Sequence, residues 1–413
     1  MTEAGASAKG LSSALAVLLV ITAVVFLAGA IQKAPCADRM FVEERAGVGF
    51  QCYSDVAVLR FNEQLQGDRL PYLDPCAPSV VNCDEYPPVT MYTMRLLAWI
   101  PGDGDPYRRF YWANAAVLLG CALVITVCLV RMGAKTELFA AAPTLAIYGT
   151  MNWDLIPVAL STAATVAFFR KRDTLAGFLL GVGAAAKVYP AFLLAPLIGQ
   201  RLADGDRSGA KRIGLAAAAT WLALDLPFVF LAPGPWSTFL RFNADRLADH
   251  GTLWHVACRL GACATPHAMD VATVLLTAGG TAALWASLRR RQPGFPRWAM
   301  AFPLLVLFFL TSKVSSSQYI LWILPWFALT ARAFPPYAAE QATEVLVYIS
   351  IFSFFAALQG GDGVSYTWVG IALTLRACAL VACLVLWYRQ MASGASMEIA
   401  GVESAPRAPI MLG

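Results

Sequence analysis

Residues 11–31 read LSSALAVLLVITAVVFLAGAI, and the segment from Cys36 to Pro88 that follows is long and polar. An α-helix needs about 20 apolar residues to cross the hydrocarbon core of a bilayer. The first stretch meets that length and lacks a convincing small-residue cleavage site, so we expect a retained membrane helix rather than a removed signal peptide. The polar segment is then a loop beyond the membrane, lying over a scaffold formed by the rest of the chain.

The composition predicts an all-α protein that crosses the membrane many times. Of the 413 residues, 58% are hydrophobic and 14% are charged, whereas soluble domains carry roughly 25% charged residues. The net charge of +5 does not indicate nucleic-acid binding, because the basic residues form short blocks between apolar runs. The positive-inside rule places such blocks in cytoplasmic loops. The blocks are 131–135, 170–172, 201–212, 289–297, Arg332 and Arg389.

Consecutive basic blocks are separated by enough apolar sequence for an out-and-back helical hairpin, which predicts about twelve transmembrane helices. Val89–Ile100 is too short to cross and has Arg95 in its middle, so we expect a half-length helix in the outer interface. Residues 32–109 and 233–268 are then the two long outer loops. The closing hairpin is predicted to cross at Val345–Leu358 and Tyr366–Trp387.

These features together predict one transmembrane domain over residues 1–388 and a disordered cytoplasmic tail over residues 391–413. Neither a Walker-type phosphate loop nor a Gly-x-Gly-x-x-Gly motif is present in the sequence.

The tips of the hairpins carry polar clusters that all fall on the outer side of this topology. They are Asn152-Trp153-Asp154, Lys187-Val188-Tyr189-Pro190, residues 241–267, Lys313 to Tyr319, and residues 360–366. Helices broken inside a membrane are tolerated where protein or water surrounds the break. The breaks at 152–154 and 187–190 therefore predict a cavity open to the outside.

Six of the ten cysteines lie in the two outer loops. An oxidising compartment and an even number per loop favour disulfides. Pairs that close short loops would be Cys36 with Cys52, Cys76 with Cys83, and Cys258 with Cys263. A zinc site built from Cys258, Cys263 and the histidines is the alternative, although the ligand spacing is not a recognisable one.

The outer-side residues suit a reaction on a sugar phosphate. Aromatic rings beside polar groups suit sugar faces, and isolated lysines near the membrane surface suit a phosphate. One carboxylate would act as general base on an acceptor hydroxyl, and Lys187 would neutralise the departing phosphate.

The sequence resembles the polyprenyl-phosphate-sugar-dependent glycosyltransferases of the GT-C fold, and within them glycosyltransferase family 87, which includes mannosyl- and arabinofuranosyltransferases. The resemblance runs from about residue 50 to 325, and Ser316 departs from it where relatives often have proline. The matching residues are Tyr53-Ser54-Asp55, Tyr86-Pro87-Pro88, Asn152-Trp153-Asp154, Lys187-Val188-Tyr189-Pro190, Phe242-Asn243, Asp245-Arg246, Gly251-Thr252-Leu253-Trp254, Ser317-Gln318-Tyr319, Trp322 and Pro325.

The resemblance implies a GT-C-like fold in a bacterial plasma membrane, with the active site on the outer face. It maps the catalytic aspartate of the first outer loop onto Asp55 and a second acidic residue onto Asp154. The donor would be a polyprenyl-phosphate sugar and the acceptor a glycolipid or glycan. No metal is required, although Asp55 and Asp154 could share a divalent ion.

We expect the remaining candidates to bind the two substrates. Those for the donor phosphate are Lys187, Tyr189, Lys313 and Gln318. Those for the sugar or acceptor are Tyr53, Glu85, Tyr86, Asn152, Trp153, Asn243, Asp245, Arg246, His250, Trp254, His255 and Tyr319.

Each of these residues also has a purely structural interpretation. Asp55 and Asp154 could cap helices, Lys187 could extend to the interface, and His250 and His255 could serve packing alone. For the whole chain, a lipid-intermediate transporter and a non-catalytic scaffold are the alternatives. A transporter would favour repeated halves with a site at the midplane, and no equal halves are visible in the sequence.

Overall fold

The computed structural model describes residues 3–38, 51–77, 83–331 and 333–394. Arg332 and most of the predicted disordered tail, from residue 395 onward, lie outside the described residues. Within the described ranges the chain is helical and has no strand. The α-helices are α1 Glu3–Lys33, α2 Asp55–Asn62, α3 Pro88–Ala98, α4 Pro106–Arg131, α5 Glu137–Ala140, α6 Pro143–Tyr148, α7 Leu155–Phe169, α8 Asp173–Ala186, α9 Leu194–Ala203, α10 Arg207–Leu231, α11 Pro233–Asp245, α12 Leu253–Arg259, α13 Pro266–Arg291, α14 Ala301–Thr311, α15 Ile320–Thr330, α16 Phe334–Leu358 and α17 Tyr366–Ala392.

Six helical segments of the described chain are long and apolar enough to cross a bilayer. They are Ser13–Cys36, Pro106–Arg131, Arg207–Leu231, Pro266–Arg291, Phe334–Leu358 and Tyr366–Ala392. This confirms an all-α multi-pass membrane protein. The count of twelve crossings is not confirmed, because the other six predicted crossings correspond to shorter helices.

The short helices occur in pairs with a break between them, as the sequence predicts. Helix α6 ends at Tyr148 and α7 begins at Leu155, and α8 ends at Ala186 before a 3₁₀ turn at Tyr189–Leu193. Lys187 has φ −160° and ψ 139°, so the backbone leaves the helix at that residue. The third break separates α14 from α15 and contains a 3₁₀ turn at Ser317–Tyr319.

Small residues let the scaffold helices approach closely. A Cβ on Gly29 of α1 would lie 1.7 Å from the carbonyl oxygen of Ala146, and one on Gly181 of α8 would lie 2.6 Å from that of Ala217. Because lipid is as apolar as the helices, the hydrophobic effect does not drive membrane helices together, and close van der Waals contacts of this kind stabilise their association instead. They fix the positions of the helix ends that carry the polar tips.

The outer loops contain short helices. Helix α3 confirms the short helix predicted at Val89–Ile100, and its Arg95 is 1% exposed. The Arg95 guanidinium donates to the carbonyl of Leu65 at 3.2 Å and lies 4.3 Å from the ring of Trp99. The second outer loop consists mainly of α11 and α12.

The start of the closing hairpin differs from the prediction. Helix α16 begins at Phe334 rather than at Val345, because Glu340 and Glu344 are fully buried instead of ending the apolar run. Glu344 lies 3.6 Å from Arg376 of α17, and Arg376 donates to the carbonyl of Gly251 at 2.8 Å. Partners on neighbouring helices therefore compensate charges that hydropathy counts against a membrane helix.

Candidate active site

Asp55 is the first residue of α2 and lies at the centre of the polar cluster. Its backbone N–H donates to the carbonyl of Met151 at 2.9 Å. Its carboxylate accepts one hydrogen bond from the Tyr53 hydroxyl and another from the Asn152 side-chain amide, both at 2.8 Å. Ser54 occupies the N-cap position, and its hydroxyl donates to the carbonyl of Thr150 at 2.5 Å. The Asp55 carboxylate therefore contacts its neighbours rather than capping the helix.

Two opposing effects set the acidity of Asp55. Burial raises the pKa of its carboxyl, while the hydrogen bonds from Asn152 and Tyr53 and the charge of Lys187 act to lower that pKa. A carboxylate whose pKa is shifted upward accepts a proton more readily than an ordinary aspartate.

Asn152 joins the outer loop to the first hairpin tip. The same side-chain amide that donates to Asp55 also donates to the Tyr86 hydroxyl at 2.7 Å. Its carbonyl oxygen accepts from the backbone N–H of Trp153 at 2.7 Å, which fixes the orientation of the amide. Asn152 therefore holds both Asp55 and Tyr86 in place.

Lys187 and Asp154 form an ion pair beside this cluster. The Lys187 Nζ atom donates to Asp154 Oδ1 at 2.7 Å, and the Trp322 indole N–H donates to the same oxygen at 2.6 Å. Asp154 is 0% exposed and the Lys187 side chain is 12% exposed. Asp154 does not cap α7 with its side chain. It lies beneath Lys187, so the structure does not bring it to a position where it could touch a substrate.

Aromatic rings surround the lysine. Its Nζ lies 4.9 Å from the ring centroid of Tyr319, 5.7 Å from that of Trp322 and 5.9 Å from that of Tyr86. Trp322 stacks between Tyr319 at 3.9 Å and Tyr189 at 4.3 Å. Cation–π contacts of this kind stabilise a desolvated ammonium group. Lys187 is therefore held at the break after α8 rather than extending to the interface.

Asp55 also lines a cavity of about 260 Å³. We call it the polar cavity. It is lined by Tyr53, Asp55, Tyr148, Met151, Arg246, Asp249, His250, Gly251, Ser315, Ser316, Ser317, Gln318, Ile351, Phe352 and Phe355. Residues of the first outer loop, of the second outer loop and of the break between α14 and α15 thus all line this cavity.

Glu85 adds a titratable group near pH 7 beside the cavity. Burial raises the pKa of its carboxyl to about 7, the charge of Arg246 lowers that pKa, and the charge of Asp55 raises it. Glu63 holds the backbone here by accepting from the N–H groups of Asp84 at 2.6 Å and Glu85 at 3.4 Å. Glu63 is itself fully buried.

A second, larger space of about 480 Å³ is lined by residues of the first outer loop, α8, α10 and α11. We call it the apolar groove. Its lining is almost entirely apolar, and none of its lining residues lines the polar cavity. The lining residues are Tyr72, Pro87, Pro88, Leu180, Gly181, Ala184, Val188, Ala191, Leu194, Gly214, Ala217, Ala218, Trp221, Asp225, Trp236, Phe239 and Leu240.

The structure places several predicted site residues away from both spaces. Lys313 is 1% exposed, pairs with Asp270 at 2.9 Å and donates to the carbonyl of Ala244 at 2.6 Å. These two contacts join the second outer loop to the break after α14. The position of Lys313 therefore does not support the prediction that it faces a donor phosphate.

Five other predicted site residues also lie outside the linings of both spaces. Trp153 is buried and donates to Asn114, and Tyr189 shares a hydrogen bond with Ser161. Asn243 donates to the carbonyl of Phe239, Trp254 donates to the carbonyl of Thr311, and Asp245 is exposed at the end of α11. His255 packs behind His250, with ring centroids 4.4 Å apart. Of this pair only His250 lines the polar cavity.

Sequence reasoning missed Asp249, Ser315 and Tyr148, which all line the polar cavity. Asp249 directly precedes the His250–His255 stretch, but no sequence pattern separates it from the other loop carboxylates. Ser315 belongs to the predicted tip from Lys313 to Tyr319, and its place there was the one available signal. Tyr148 ends an apolar helix, where a tyrosine is unremarkable.

The cysteines pair as predicted. The structure joins Cys36 to Cys52, Cys76 to Cys83 and Cys258 to Cys263. The last pairing removes the two thiolates on which the alternative zinc site depends. Within the described ranges, Cys76, Cys83 and Asp84 form one further cluster of residue types that can bind metals. Its two cysteines are joined in a disulfide, and Asp84 pairs with Arg69 at 2.5 Å, so these side chains already have partners.

Comparison with known proteins adds a family and a distant structural likeness. The model of glycosyltransferase family 87 matches residues 85–312, more than half of the chain. The crystal structure of ArnT from Cupriavidus metallidurans in the apo state is 15% identical, aligns over 81% of this chain and 72% of that chain, and gives a TM-score of 0.41. No curated protein matches the sequence. The extent of the family match establishes that this chain belongs to glycosyltransferase family 87.

Proposed function

We propose that this membrane glycosyltransferase moves a sugar, mannose or arabinofuranose, from a polyprenyl-phosphate donor to a glycolipid or glycan acceptor. The reaction takes place at the outer face of the bacterial plasma membrane. One observation carries the proposal: the Asp55 carboxylate lines a polar cavity, and the Lys187 ammonium, paired with Asp154, lies near enough for its charge to lower the pKa of Asp55.

The chemistry needs a base on the acceptor. Asp55 accepts the proton of an acceptor hydroxyl as the hydroxyl oxygen bonds to the anomeric carbon of the donor sugar. The bond between that carbon and the phosphate oxygen breaks, and its electron pair leaves with the phosphate. Displacement in a single step inverts the anomeric centre. The hydrogen bonds from Tyr53 and Asn152 keep Asp55 in its reactive orientation.

Lys187 stabilises the charge that develops on the phosphate. Asp154 accepts one of the three N–H donors of its ammonium group, which leaves two directions for phosphate oxygens. Asp154 then acts as a positioning residue and not as a second catalytic acid. Preorganised donors in a water-poor site are an effective way to stabilise developing charge.

The apolar groove supports a lipid-linked donor. Pro87 and Pro88 in its lining follow Tyr86 in the sequence, and Val188 in its wall follows Lys187. We propose that a prenyl chain lies in this groove with its phosphate directed toward Lys187. The groove's volume of about 480 Å³ is within the range of pockets that bury small apolar ligands.

Purified protein in lipid nanodiscs, supplied with a polyprenyl-phosphate sugar and a glycolipid acceptor, tests the proposal. We expect transfer that continues in EDTA, because a lysine takes the role that a divalent ion would have. Loss of transfer in EDTA that Mg²⁺ or Mn²⁺ restores would instead favour an ion held by Asp55 and Asp154. A protein that neither transfers nor hydrolyses any polyprenyl-phosphate sugar would overturn the proposed donor.

A further inference from the structure

Two buried polar groups in the polar cavity have no partner among the described residues. Ser315 is 1% exposed and its hydroxyl makes no hydrogen bond there. Asp249 uses Oδ1 to accept from Arg246 at 2.6 Å, while its buried Oδ2 has no partner in the same part of the chain. Folded proteins pair nearly all buried polar groups, so two unpaired groups in one cavity indicate a ligand with hydroxyls.

The backbone holds both residues in place. The Asp249 N–H donates to the carbonyl of Lys313 at 2.9 Å, which ties the second outer loop to the segment that carries Ser315. The Arg246 guanidinium fixes the Asp249 carboxylate from the other side. The Ser315 hydroxyl, a donor and acceptor, and the Asp249 carboxylate, an acceptor, thus belong to two adjoining segments that both line the polar cavity.

The rest of the lining suits the apolar face of a sugar ring. Phe352 and Phe355 form part of the wall, and the ring of His250 lies 5.3 Å from that of Phe355. The volume of about 260 Å³ is just below the range of about 300–1,000 Å³ typical of pockets for drug-sized ligands, which suits a single sugar ring.

The position of the base places the reacting acceptor hydroxyl at this cavity, which Gln318, a residue expected at the donor phosphate, also lines. Asp55 lines the polar cavity, whereas Lys187 and every residue of the apolar groove lie outside its lining. A general base must lie within hydrogen-bond reach of the proton it removes. The group that reacts in this cavity is therefore the acceptor hydroxyl.

We propose that the polar cavity binds one terminal sugar residue of the acceptor, and that Asp249 and Ser315 select it by hydrogen bonds to hydroxyls other than the one that reacts. This inference rests on the proposed function and names the residues that select its glycolipid or glycan acceptor. Plain lipid alcohols and protein hydroxyls lack the additional hydroxyls that these two residues would bind.

The test measures the KM of the acceptor and of the donor separately, for the wild type, Asp249→Asn and Ser315→Ala in nanodiscs. The acceptors are a synthetic lipid-linked monosaccharide, its set of single-deoxy analogues, and a plain lipid alcohol. Both substitutions should raise the acceptor KM about tenfold or more, as expected for a lost hydrogen bond to a buried polar group, and leave the donor KM unchanged. Each substitution should lose its effect with the one deoxy analogue that lacks the hydroxyl it binds.

Asp68→Asn in the exposed part of the first outer loop and Ser208→Ala at the start of α10 are matched controls, and both should behave as wild type. Equal acceptor KM values in all variants, or equal transfer to the plain lipid alcohol, would refute the inference while the proposed function stands. A rise in the donor KM would assign the cavity to the donor sugar and also refute it. Ser315→Ala removes one oxygen atom, so its result remains informative if Asp249→Asn fails to fold.

Discussion

Replacing Asp55 with asparagine separates the chemistry of the carboxylate from its role in the fold. An asparagine at this position can accept from the Asn152 amide and donate to the Tyr53 oxygen, so both contacts of 2.8 Å can persist. We expect a change in unfolding free energy below about 1 kcal/mol, the worth of a single hydrogen bond. The proton acceptor is lost, however, which lowers the rate about 100-fold or more, or roughly 2.7 kcal/mol in activation free energy.

The pH dependence of the rate gives the prediction a second measurement. Asp55 must be ionised to act as a base, so the rate falls as the pH drops through the pKa of its carboxyl. Burial raises that pKa, which places the fall at higher pH than an ordinary aspartate would give. Asn152→Ala removes a hydrogen bond that favours the ionised form and should move the fall to still higher pH.

The assay is single-turnover transfer in nanodiscs across a pH series, with donor binding measured separately. Asp68→Asn, an exposed carboxylate of the same loop, should retain full turnover and the wild-type pH profile. An Asp55→Asn enzyme that keeps more than about a tenth of the wild-type turnover would show that Asp55 is not the general base.

Three further predictions concern the cation, the disulfides and the topology. Lys187→Ala should raise the donor KM and lower kcat together, because the lysine meets the phosphate in both the bound and the transition state. The native protein should contain three disulfides, which intact-mass measurement before and after reduction and alkylation will count. An impermeant maleimide applied from outside should label Ser237→Cys and leave Ser208→Cys unlabelled, because the positive-inside rule places Ser208 in a cytoplasmic block.

Each of these has its own control. Lys211→Ala, in the same basic block as Ser208, should leave the donor KM unchanged, and an equal effect of both lysine substitutions would argue against a specific phosphate contact. Six free outer-loop thiols in the untreated protein would contradict the disulfide pairing. Labelling of Ser208→Cys from outside in intact cells would contradict the predicted topology.

The sequence predicts the architecture because bilayer physics leaves few choices. Apolar length, basic blocks and polar tips are sufficient for the multi-pass fold, the helix breaks at 152–154 and 187–190, and the hairpin tip at 313–319. The start of α16 was not predictable in this way, since Glu344 is compensated by Tyr148 and Arg376 of other helices, and Glu340 accepts from its neighbour Gln341.

The sequence predicts which types of residue form the site better than it predicts the role of each residue. Asp154 was expected to be a second catalytic acidic residue and Lys187 to bind the phosphate, but no spacing in the sequence reveals that Asp154 lies buried beneath Lys187. Asp249 and Lys313 show the same limit: Asp249, for which the sequence predicted no role, lines the polar cavity, whereas Lys313, expected at the donor phosphate, pairs with Asp270. Spacing gives the face on which a residue lies, and tertiary contacts decide which side chain meets the substrate.

The anchoring of α2 has a consequence for engineering. Ser54 and Asp55 are hydrogen-bonded to the backbone of Thr150 and Met151, so the reactive carboxylate is fixed to the transmembrane scaffold at the base of the first outer loop. Residues 66–75 of that loop can therefore be exchanged between relatives without moving the carboxylate, because Glu63 and the Cys76–Cys83 disulfide are kept. Such chimeras should retain a competent base while changing which acceptor reaches it.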